Sequence, residues 1–152
     1  MQDRFGRRIH YLRLSVTDRC DFRCTYCLPR SHRDFATPQA WLTADEIARI
    51  VGLFTDLGVS HVRLTGGEPL VRKELPEIVR RLDALPGIRD LSLSTNASRM
   101  AGFASELKAA GVTRLNISLD SLDTETFKGL TGGRLEKVLV GIAAAREAGF
   151  AP

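Results

Sequence analysis

Three cysteines, Cys20, Cys24 and Cys27, lie within eight residues and are the only cysteines of this 152-residue chain. Thiolates this close together can converge on one iron–sulfur cluster. A four-iron cluster held by three cysteines leaves one iron without a protein thiolate. Such an iron can bind a small molecule directly, which an iron held by a fourth cysteine cannot.

The three cysteines have three other interpretations. A disulfide framework is disfavoured because the number of cysteines is odd and the chain has the features of an intracellular protein. A zinc site is an alternative, with His32 as the fourth ligand. Structural zinc sites usually combine two ligand pairs, however, and the sequence has no second pair. A chance cluster of three buried cysteines is the remaining alternative.

The composition is typical of a globular chain that forms one domain at most, with 43% hydrophobic and 26% charged residues. No apolar segment is long enough for a membrane span, and no apolar segment follows the charged N-terminus as in a secretory signal. We therefore expect a cytoplasmic location and no membrane partner. The net charge of +4 suits an anionic small molecule or nucleic acid, although a solvated arginine-rich surface is commoner than either.

The chain repeats a unit of glycine, apolar strand, polar turn and amphipathic helix, with the glycines at positions 58, 87, 111 and 149. A capping box of Thr43 and Glu46 predicts the start of the first helix. Apolar residues at helical spacing predict helices around 47–57, 75–85, 100–110 and 135–142, with a short turn around 123–127 before the last. Alternating strands and helices predict a parallel sheet of βα units.

Each predicted strand carries one apolar and one polar face, whereas parallel strands covered on both faces are apolar throughout. Apolar residues alternate with these polar ones: Arg13, Ser15 and Thr17; Arg63 and Thr65; Ser92 and Ser94; Asn116, Ser118 and Asp120. If the apolar faces bury against the helices, the polar faces line one shared surface. Barrel-like curvature would make this surface a cavity, and the alternative is an ordinary wet face.

The helix-end signal at Gly149-Phe150 predicts that a fifth strand begins there. Four units cannot close a barrel, and the fourth strand would be left with an open edge. We therefore expect residues 1–152 to be the N-terminal portion of a longer barrel domain, truncated before the fifth strand. The alternative is a small four-stranded domain.

The loop after the second predicted strand reads Gly66-Gly67-Glu68-Pro69. Adjacent glycines after a parallel strand let backbone approach a ligand closely, although alone they are equally consistent with a simple turn. Ligands of such folds bind beyond the C-terminal ends of the strands. Because the cysteines follow the first strand, the two loops are expected to face one another across one site.

The cysteine spacing, with Tyr26 before the last cysteine, and the Gly-Gly-Glu-Pro loop resemble the two motifs of radical S-adenosylmethionine (SAM) enzymes. The segments 11–20, 62–70 and 116–123 are similar to those of the GTP 3′,8-cyclase family of molybdenum cofactor synthesis. The resemblance runs from about Phe5 to Phe150. It implies a radical SAM fold, here about four (βα) units of an incomplete TIM-like barrel.

The resemblance also implies roles for individual residues. Cys20, Cys24 and Cys27 would hold a 4Fe–4S cluster whose free iron is chelated by SAM. Four residues would bind SAM: Tyr26, Gly67, Glu68 and Ser118. Glu68 would receive the methionine ammonium. Three residues would bind GTP: Arg13, Arg63 and Ser94. Arginine suits a triphosphate because its planar fork binds oxyanions bidentately, although a surface salt bridge is the alternative for both arginines.

The implied reaction is reductive cleavage of SAM to a 5′-deoxyadenosyl radical, which takes the ribose 3′ hydrogen of GTP so that the 3′ carbon adds to guanine C8. The implied partners are GTP, a reductase or a ferredoxin- or flavodoxin-type electron donor, the next enzyme of the molybdopterin pathway and, as an option, a second copy in a homodimer. Nucleic acid is not expected.

This chain departs from the family in several places. Ser94 stands where threonine is typical, and Ala97 stands where glycine often follows Thr95-Asn96. The family's remaining strands, its three C-terminal cysteines for a second 4Fe–4S cluster and its Gly-Gly tail are absent. The isolated chain is therefore expected to be inactive in cyclisation.

Two competing functions remain open. A peptide-modifying radical SAM maturase would share both motifs. A non-enzymatic zinc or nucleic-acid module would use the basic charge, but no interleaved aromatic and basic residues support it.

Overall fold

The computed structural model of the chain describes residues 2–27, 29, 31–32 and 34–151. It contains a four-stranded parallel sheet in the order β1-β2-β3-β4. The strands are β1 (Tyr11–Ser15), β2 (His61–Thr65), β3 (Asp90–Thr95) and β4 (Arg114–Ile117). The helices are α1 (Ala44–Asp56), α2 (Leu75–Asp83), α3 (Ala104–Ala110), α4 (Thr124–Thr131) and α5 (Leu135–Glu147). The predicted parallel sheet of βα units is confirmed.

One apolar core lies between the sheet and the helices. The apolar strand side chains Val62, Leu64 and Leu93 are fully buried in it, together with Ile78 of α2 and Leu107 of α3. Because successive parallel strands are neighbours, crossovers of one hand place every helix on the same face. The opposite face carries the polar side chains of each strand. No helix within the described residues is long and apolar enough to cross a membrane.

Local sequence signals explain where the helices begin. α1 starts with the predicted capping box, in which the Glu46 amide donates to Thr43 Oγ1 (3.2 Å) and the Thr43 amide donates to Glu46 Oε2 (2.8 Å). The prediction of a short turn around 123–127 is wrong, because helix α4 begins at Thr124. Asp123 caps this helix by accepting a hydrogen bond from the Thr126 amide (2.8 Å).

Strands β1 and β4 end earlier than their alternating patterns predicted. Val16 and Thr17 lie beyond the end of β1, and Ser118 lies beyond the end of β4. Ser92 was placed on the open polar face but is buried where Arg63 reaches across to it, and its hydroxyl donates to the Val62 carbonyl (3.4 Å). The described residues form four strands, with Phe150 buried against the core.

Candidate iron–sulfur and SAM site

The three cysteines lie on the loop that leaves the C-terminal end of β1. Cys20 and Cys24 are half-buried and Cys27 is exposed. The Phe22 amide donates to Cys20 Sγ (3.4 Å), and the Cys27 amide donates to the Cys24 carbonyl (3.1 Å). The loop therefore turns sharply enough to bring all three cysteines to the edge of one cavity, which Pro29, His32 and Phe35 also line.

The end of α4 supports this loop from the outside. The Arg23 and Thr25 amides donate to the carbonyls of Thr131 and Leu130, each at 2.8 Å. The Phe22 ring packs edge-on against Phe127, with ring centroids 5.9 Å apart. This contact was not predicted from the sequence, because the start of α4 was interpreted as a turn.

The Gly66-Gly67-Glu68-Pro69 loop packs directly against the segment before Cys20. The Gly67 amide donates to the Thr17 carbonyl (2.9 Å), and the Glu68 amide donates to the Arg19 carbonyl (2.8 Å). A Cβ atom at Gly67 would lie 2.4 Å from the Arg19 carbonyl oxygen, so only glycine allows this approach. The two motif loops therefore lie side by side, as predicted from their places after neighbouring strands.

Glu68 is only 1% exposed, yet it is part of the lining of a cleft at the C-terminal ends of the strands. Oε1 accepts hydrogen bonds from the Leu70 amide (3.0 Å) and the Thr95 hydroxyl (2.7 Å). Oε2 accepts from the Asn96 amide (2.7 Å). Burial raises the pKa of Glu68 despite these bonds. The carboxylate thus connects the loop after β2 to the end of β3. Its three hydrogen bonds already occupy some of the lone pairs that a cationic ligand would use.

One cleft of about 850 Å³, including space open to solvent, crosses the C-terminal ends of the four strands. It brings together nine of the ten predicted site residues: Arg13, Cys20, Cys24, Tyr26, Cys27, Gly67, Glu68, Ser94 and Ser118. A cleft of this size and polar lining fits a small organic ligand. Thr95, Asn96, Asn116 and Asp120 also line it and were not predicted as site residues.

Arg63 is the predicted site residue outside this lining. Its guanidinium lies over the Tyr11 ring, 5.6 Å from the centroid, and its Nε donates to Ser92 Oγ (3.4 Å). It is on the same open face as Arg13, its register partner in the neighbouring strand. An anion that extends from the cleft along β1 and β2 would therefore meet both arginines.

Tyr26 joins the cysteine loop to the far side of the sheet. Its hydroxyl donates to Asp120 Oδ1 (2.6 Å), just after β4, and this hydrogen bond raises the pKa of Tyr26. The ring is nevertheless 63% exposed and forms part of the cleft wall. A flat exposed ring at this place can stack on a ligand that enters between the loop and the strand ends.

Three free cysteine thiols are a donor set that suits an iron–sulfur cluster. Within the described part of the chain, no three histidine, cysteine or acidic side chains are placed to hold one ion, as the zinc alternative with His32 requires. A four-iron cluster offers a separate iron to each thiolate, so its ligands stand farther apart. Burial raises the pKa of Cys20 to about 11 and raises that of Cys24 as well. Cluster binding would therefore release protons from these thiols.

Arg72 supports the site without lining the cleft, and the sequence analysis did not select it. It is 5% exposed, and its guanidinium donates to the carbonyls of Val16 (2.8 Å) and Leu42 (2.6 Å). It also stacks on Trp41 at 5.5 Å. Arg72 therefore ties the start of the cysteine loop to the segment that returns to α1. Its position four residues after Glu68 is the signal that could have identified Arg72. Arginine is usually exposed, however, so a buried supporting role was not predicted.

Comparison with known proteins agrees with this geometry. Residues 14–152 match the sequence model of the Radical SAM superfamily. The chain therefore belongs to the radical SAM superfamily.

Curated relatives narrow the similarity further. The chain is 50% identical over 153 residues to a GTP 3′,8-cyclase of Listeria monocytogenes, a match that covers 100% of this chain and 46% of that protein. It is 54% identical over 149 residues to a GTP 3′,8-cyclase of Ectopseudomonas mendocina, covering 97% of this chain and 45% of the relative. The chain spans less than half the length of the curated relatives it matches.

Solved structures show the same fold at low sequence identity. SuiB of Streptococcus suis bound to S-adenosylmethionine superimposes with a TM-score of 0.78 at 22% identity, covering 93% of this chain and 32% of SuiB. Methylornithine synthase (PylB) superimposes with a TM-score of 0.72 at 17% identity, covering 93% of this chain and 42% of that enzyme. These likenesses confirm the predicted radical SAM fold.

Proposed function

We propose that this chain serves the GTP 3′,8-cyclase reaction, which converts GTP to (8S)-3′,8-cyclo-7,8-dihydroguanosine 5′-triphosphate in the first step of molybdenum cofactor biosynthesis. The observation that carries the proposal is about half identity to GTP 3′,8-cyclases along the whole chain. The relatives are more than twice as long, so the reaction belongs to a polypeptide of that length. The chain alone is expected to lack cyclase activity.

Cys20, Cys24 and Cys27 would hold a 4Fe–4S cluster, and the cluster with SAM would supply the 5′-deoxyadenosyl radical that starts the chemistry. The residues of the chain would bind SAM and GTP around that centre and orient them. Tyr26 would stack on the adenosine and Gly67 would leave room for the methionine end. The cleft wall would shield the reacting atoms from water.

Three residues of the open face suit a nucleoside triphosphate. Arg13 lies at the cleft, and Arg63 is beside it on the neighbouring strand. Two guanidinium groups would hold phosphate oxygens bidentately through their planar forks. Ser94, on β3, lines the same cleft with a hydroxyl that can donate or accept.

Further partners belong to the same proposal. The cluster would be reduced by a ferredoxin- or flavodoxin-type donor in the cytoplasm, where thiols stay reduced. The product would pass to the next enzyme of the molybdopterin pathway. The second 4Fe–4S cluster of the family would need ligands outside this chain, because all three of its cysteines belong to the first. A homodimer is compatible with the proposal and is tested by solution mass.

The test is an anaerobic assay with GTP, SAM and a reductant, run on the chain alone and on any longer polypeptide that contains it. The proposal predicts 5′-deoxyadenosine and the cyclised nucleotide from the longer polypeptide. Formation of 5′-deoxyadenosine only when a peptide replaces GTP would favour a peptide-modifying maturase instead. A colourless zinc-binding product with salt-sensitive nucleic-acid affinity would favour the non-enzymatic alternative.

A further inference from the structure

Asp21 connects the cysteine loop to the loop after β3. Its carboxylate accepts hydrogen bonds from Ser98 Oγ (2.7 Å), Asn96 Nδ2 (2.9 Å) and Arg99 Nε (3.4 Å). The Asp21 side chain is only 22% exposed, although it lies next to Cys20 on a surface loop. An acidic side chain beside a cluster ligand adds negative charge to the site. We therefore expect Asp21 to contribute by holding neighbouring residues in position.

Asn96 makes contacts on both sides of the site. Its backbone amide donates to Glu68 Oε2 (2.7 Å), while its side-chain Nδ2 donates to Asp21 Oδ1. The same Nδ2 lies 4.0 Å from Cys20 Sγ. One residue therefore touches the Gly-Gly-Glu-Pro loop and the first cysteine together, and it fixes the separation between them.

The loop that carries Asn96 is itself held in place. Ala97 has a positive φ of 58°, a conformation that costs energy for a residue other than glycine unless the surroundings enforce it. Its amide donates to Thr95 Oγ1 (2.9 Å), and it is fully buried under Gly141 of α5, whose added Cβ would lie 2.1 Å from the Ala97 carbonyl oxygen. Asn96 is thus presented from a rigid support.

We propose that Asp21 and Asn96 form a clamp that positions Cys20 relative to Glu68, and so aligns the cluster with the end of the site that would receive SAM. This inference rests on the cluster proposed above. Neither residue is a cluster ligand, and both act through the residues they hold. Such outer partners of metal ligands typically change metal affinity by about 10- to 100-fold when they are removed.

The test compares reconstituted holoproteins that carry Asn96→Ala, Asn96→Asp, Asp21→Asn or the exchange Asp21→Asn/Asn96→Asp. Asn96→Ala removes the side-chain bonds but leaves the amide on Glu68. Asn96→Asp sets two carboxylates against each other. The exchange variant restores a donor and an acceptor across the same contact. Asp56→Asn, on the exposed surface of α1 and outside the cleft lining, serves as the control.

Two readouts are measured: the rate at which a chelator removes iron, and the electron paramagnetic resonance spectrum of the reduced cluster before and after SAM is added. The clamp predicts about tenfold faster iron loss and an altered SAM response for Asn96→Ala. It predicts a larger effect for Asn96→Asp and recovery towards wild type in the exchange variant. Asp56→Asn should keep wild-type iron retention and the wild-type response to SAM.

Iron retention and spectra equal to wild type in both single Asn96 variants would overturn the clamp while leaving the cluster intact. If Asn96→Ala does not fold, the comparison of Asn96→Asp with the exchange variant decides, and no recovery there overturns the proposal. A wild-type protein that assembles no cluster would remove the basis of both proposals.

Discussion

Three thiols of unequal exposure make up the proposed ligand set, with Cys20 and Cys24 half-buried and Cys27 exposed. Because each thiol would hold a different iron, exposure does not make any of them dispensable. Changing any one to serine is expected to lower bound iron and sulfide from about four of each per chain to a small fraction of that. The measurement is iron and sulfide content after anaerobic reconstitution.

Tyr26→Phe is the matched control for these variants. It lies one residue before Cys27, keeps all three thiols, and loses the hydroxyl that bonds Asp120 and Cys24. Tyr26→Phe should retain iron. A Cys→Ser variant that retains as much iron as Tyr26→Phe would contradict the ligand assignment.

Arg13 is the residue on which nucleotide binding is expected to depend most directly, because it lies at the cleft. Arg13→Ala should weaken GTP binding about tenfold or more, since hydrogen bonds to charged groups contribute roughly 1.5–3 kcal/mol. The comparison is Arg114→Ala on the β4 edge, where Arg114 is paired with Asp90. Equal loss of affinity in both variants, measured by calorimetry, would indicate a general charge effect and not a triphosphate site.

Residue-level prediction from sequence worked where chemistry required a given residue type. The cysteines, the Gly-Gly loop and the polar strand positions are recognisable by residue type and spacing, and nine of the ten predicted site residues line one cleft, Arg63 being the exception. Asp21, Asn96 and Arg72 were missed because their importance comes from partners far away in the chain, 75 residues away for Asp21 and Asn96. Such pairings depend on the completed fold.

At the level of elements, the capping box of α1 is a local device whose energy can be tested alone. Thr43→Ala removes the hydroxyl that accepts from the Glu46 amide and should lower the free energy of unfolding by about 1 kcal/mol. Glu46→Gln should cost less, because glutamine also fits a capping box. Chemical denaturation of the two variants measures the difference, and equal costs would show that the hydroxyl does not act as a cap.

The contact between the end of α4 and the cysteine loop is the second element-level test. A Cβ at Gly133 would lie 2.5 Å from the Phe22 ring, so Gly133→Ala should push on the loop and cost roughly 1–3 kcal/mol of stability. It should also speed iron loss from the reconstituted protein, because Phe22 lies between two ligands.

Gly129→Ala is the control for this variant. Gly129 lies inside α4, where an added Cβ meets nothing within 4 Å, so alanine should maintain or increase stability. Faster iron loss in Gly129→Ala than in Gly133→Ala would refute the role given to the Phe22 contact.

Elements with strong local signals were predictable, and those fixed by tertiary packing were not. The capping box placed the start of α1 correctly. α4 was read as a turn because its eight residues carry few apolar side chains, with Phe127 and Thr131 the two that are buried. Ser92 was placed on the open face by alternation alone, but it is covered where Arg63 reaches across to it.

For the whole molecule, acid stability depends partly on the ion pair that links β3 and β4. The Arg114 guanidinium beside Asp90 lowers the pKa of that carboxyl below its unfolded value of about 3.9. A depressed folded pKa stabilises the protein above the unfolded pKa, and this stabilisation is lost as the pH falls through the folded pKa. The effect should be modest because Arg114 is exposed.

Asp90→Asn should therefore lower Tm near neutral pH, and the difference from wild type should shrink as the pH falls from 6 towards 2. Thermal unfolding across that range measures it, with Asp56→Asn on the exposed surface of α1 as control. A difference that grows towards low pH would have the wrong sign for a lowered pKa.

The site spans the molecule, since its residues come from the ends of all four strands and from the cysteine loop. A ligand that binds only this folded arrangement stabilises it by mass action, so cluster assembly should raise the Tm of the chain. The fold class was predictable from alternation of strands and helices, because that pattern is local. The contacts between the loops that follow separate strands were not predictable from the sequence.

The most direct test of the proposed centre is electron paramagnetic resonance of the anaerobically reconstituted and reduced protein, with and without SAM. Three cysteine ligands leave one iron open, so the spectrum of a reduced 4Fe–4S cluster should appear and should change when SAM is added. A cluster spectrum that SAM leaves unchanged, or a protein that binds zinc and no iron, would contradict a SAM-binding cluster at Cys20, Cys24 and Cys27.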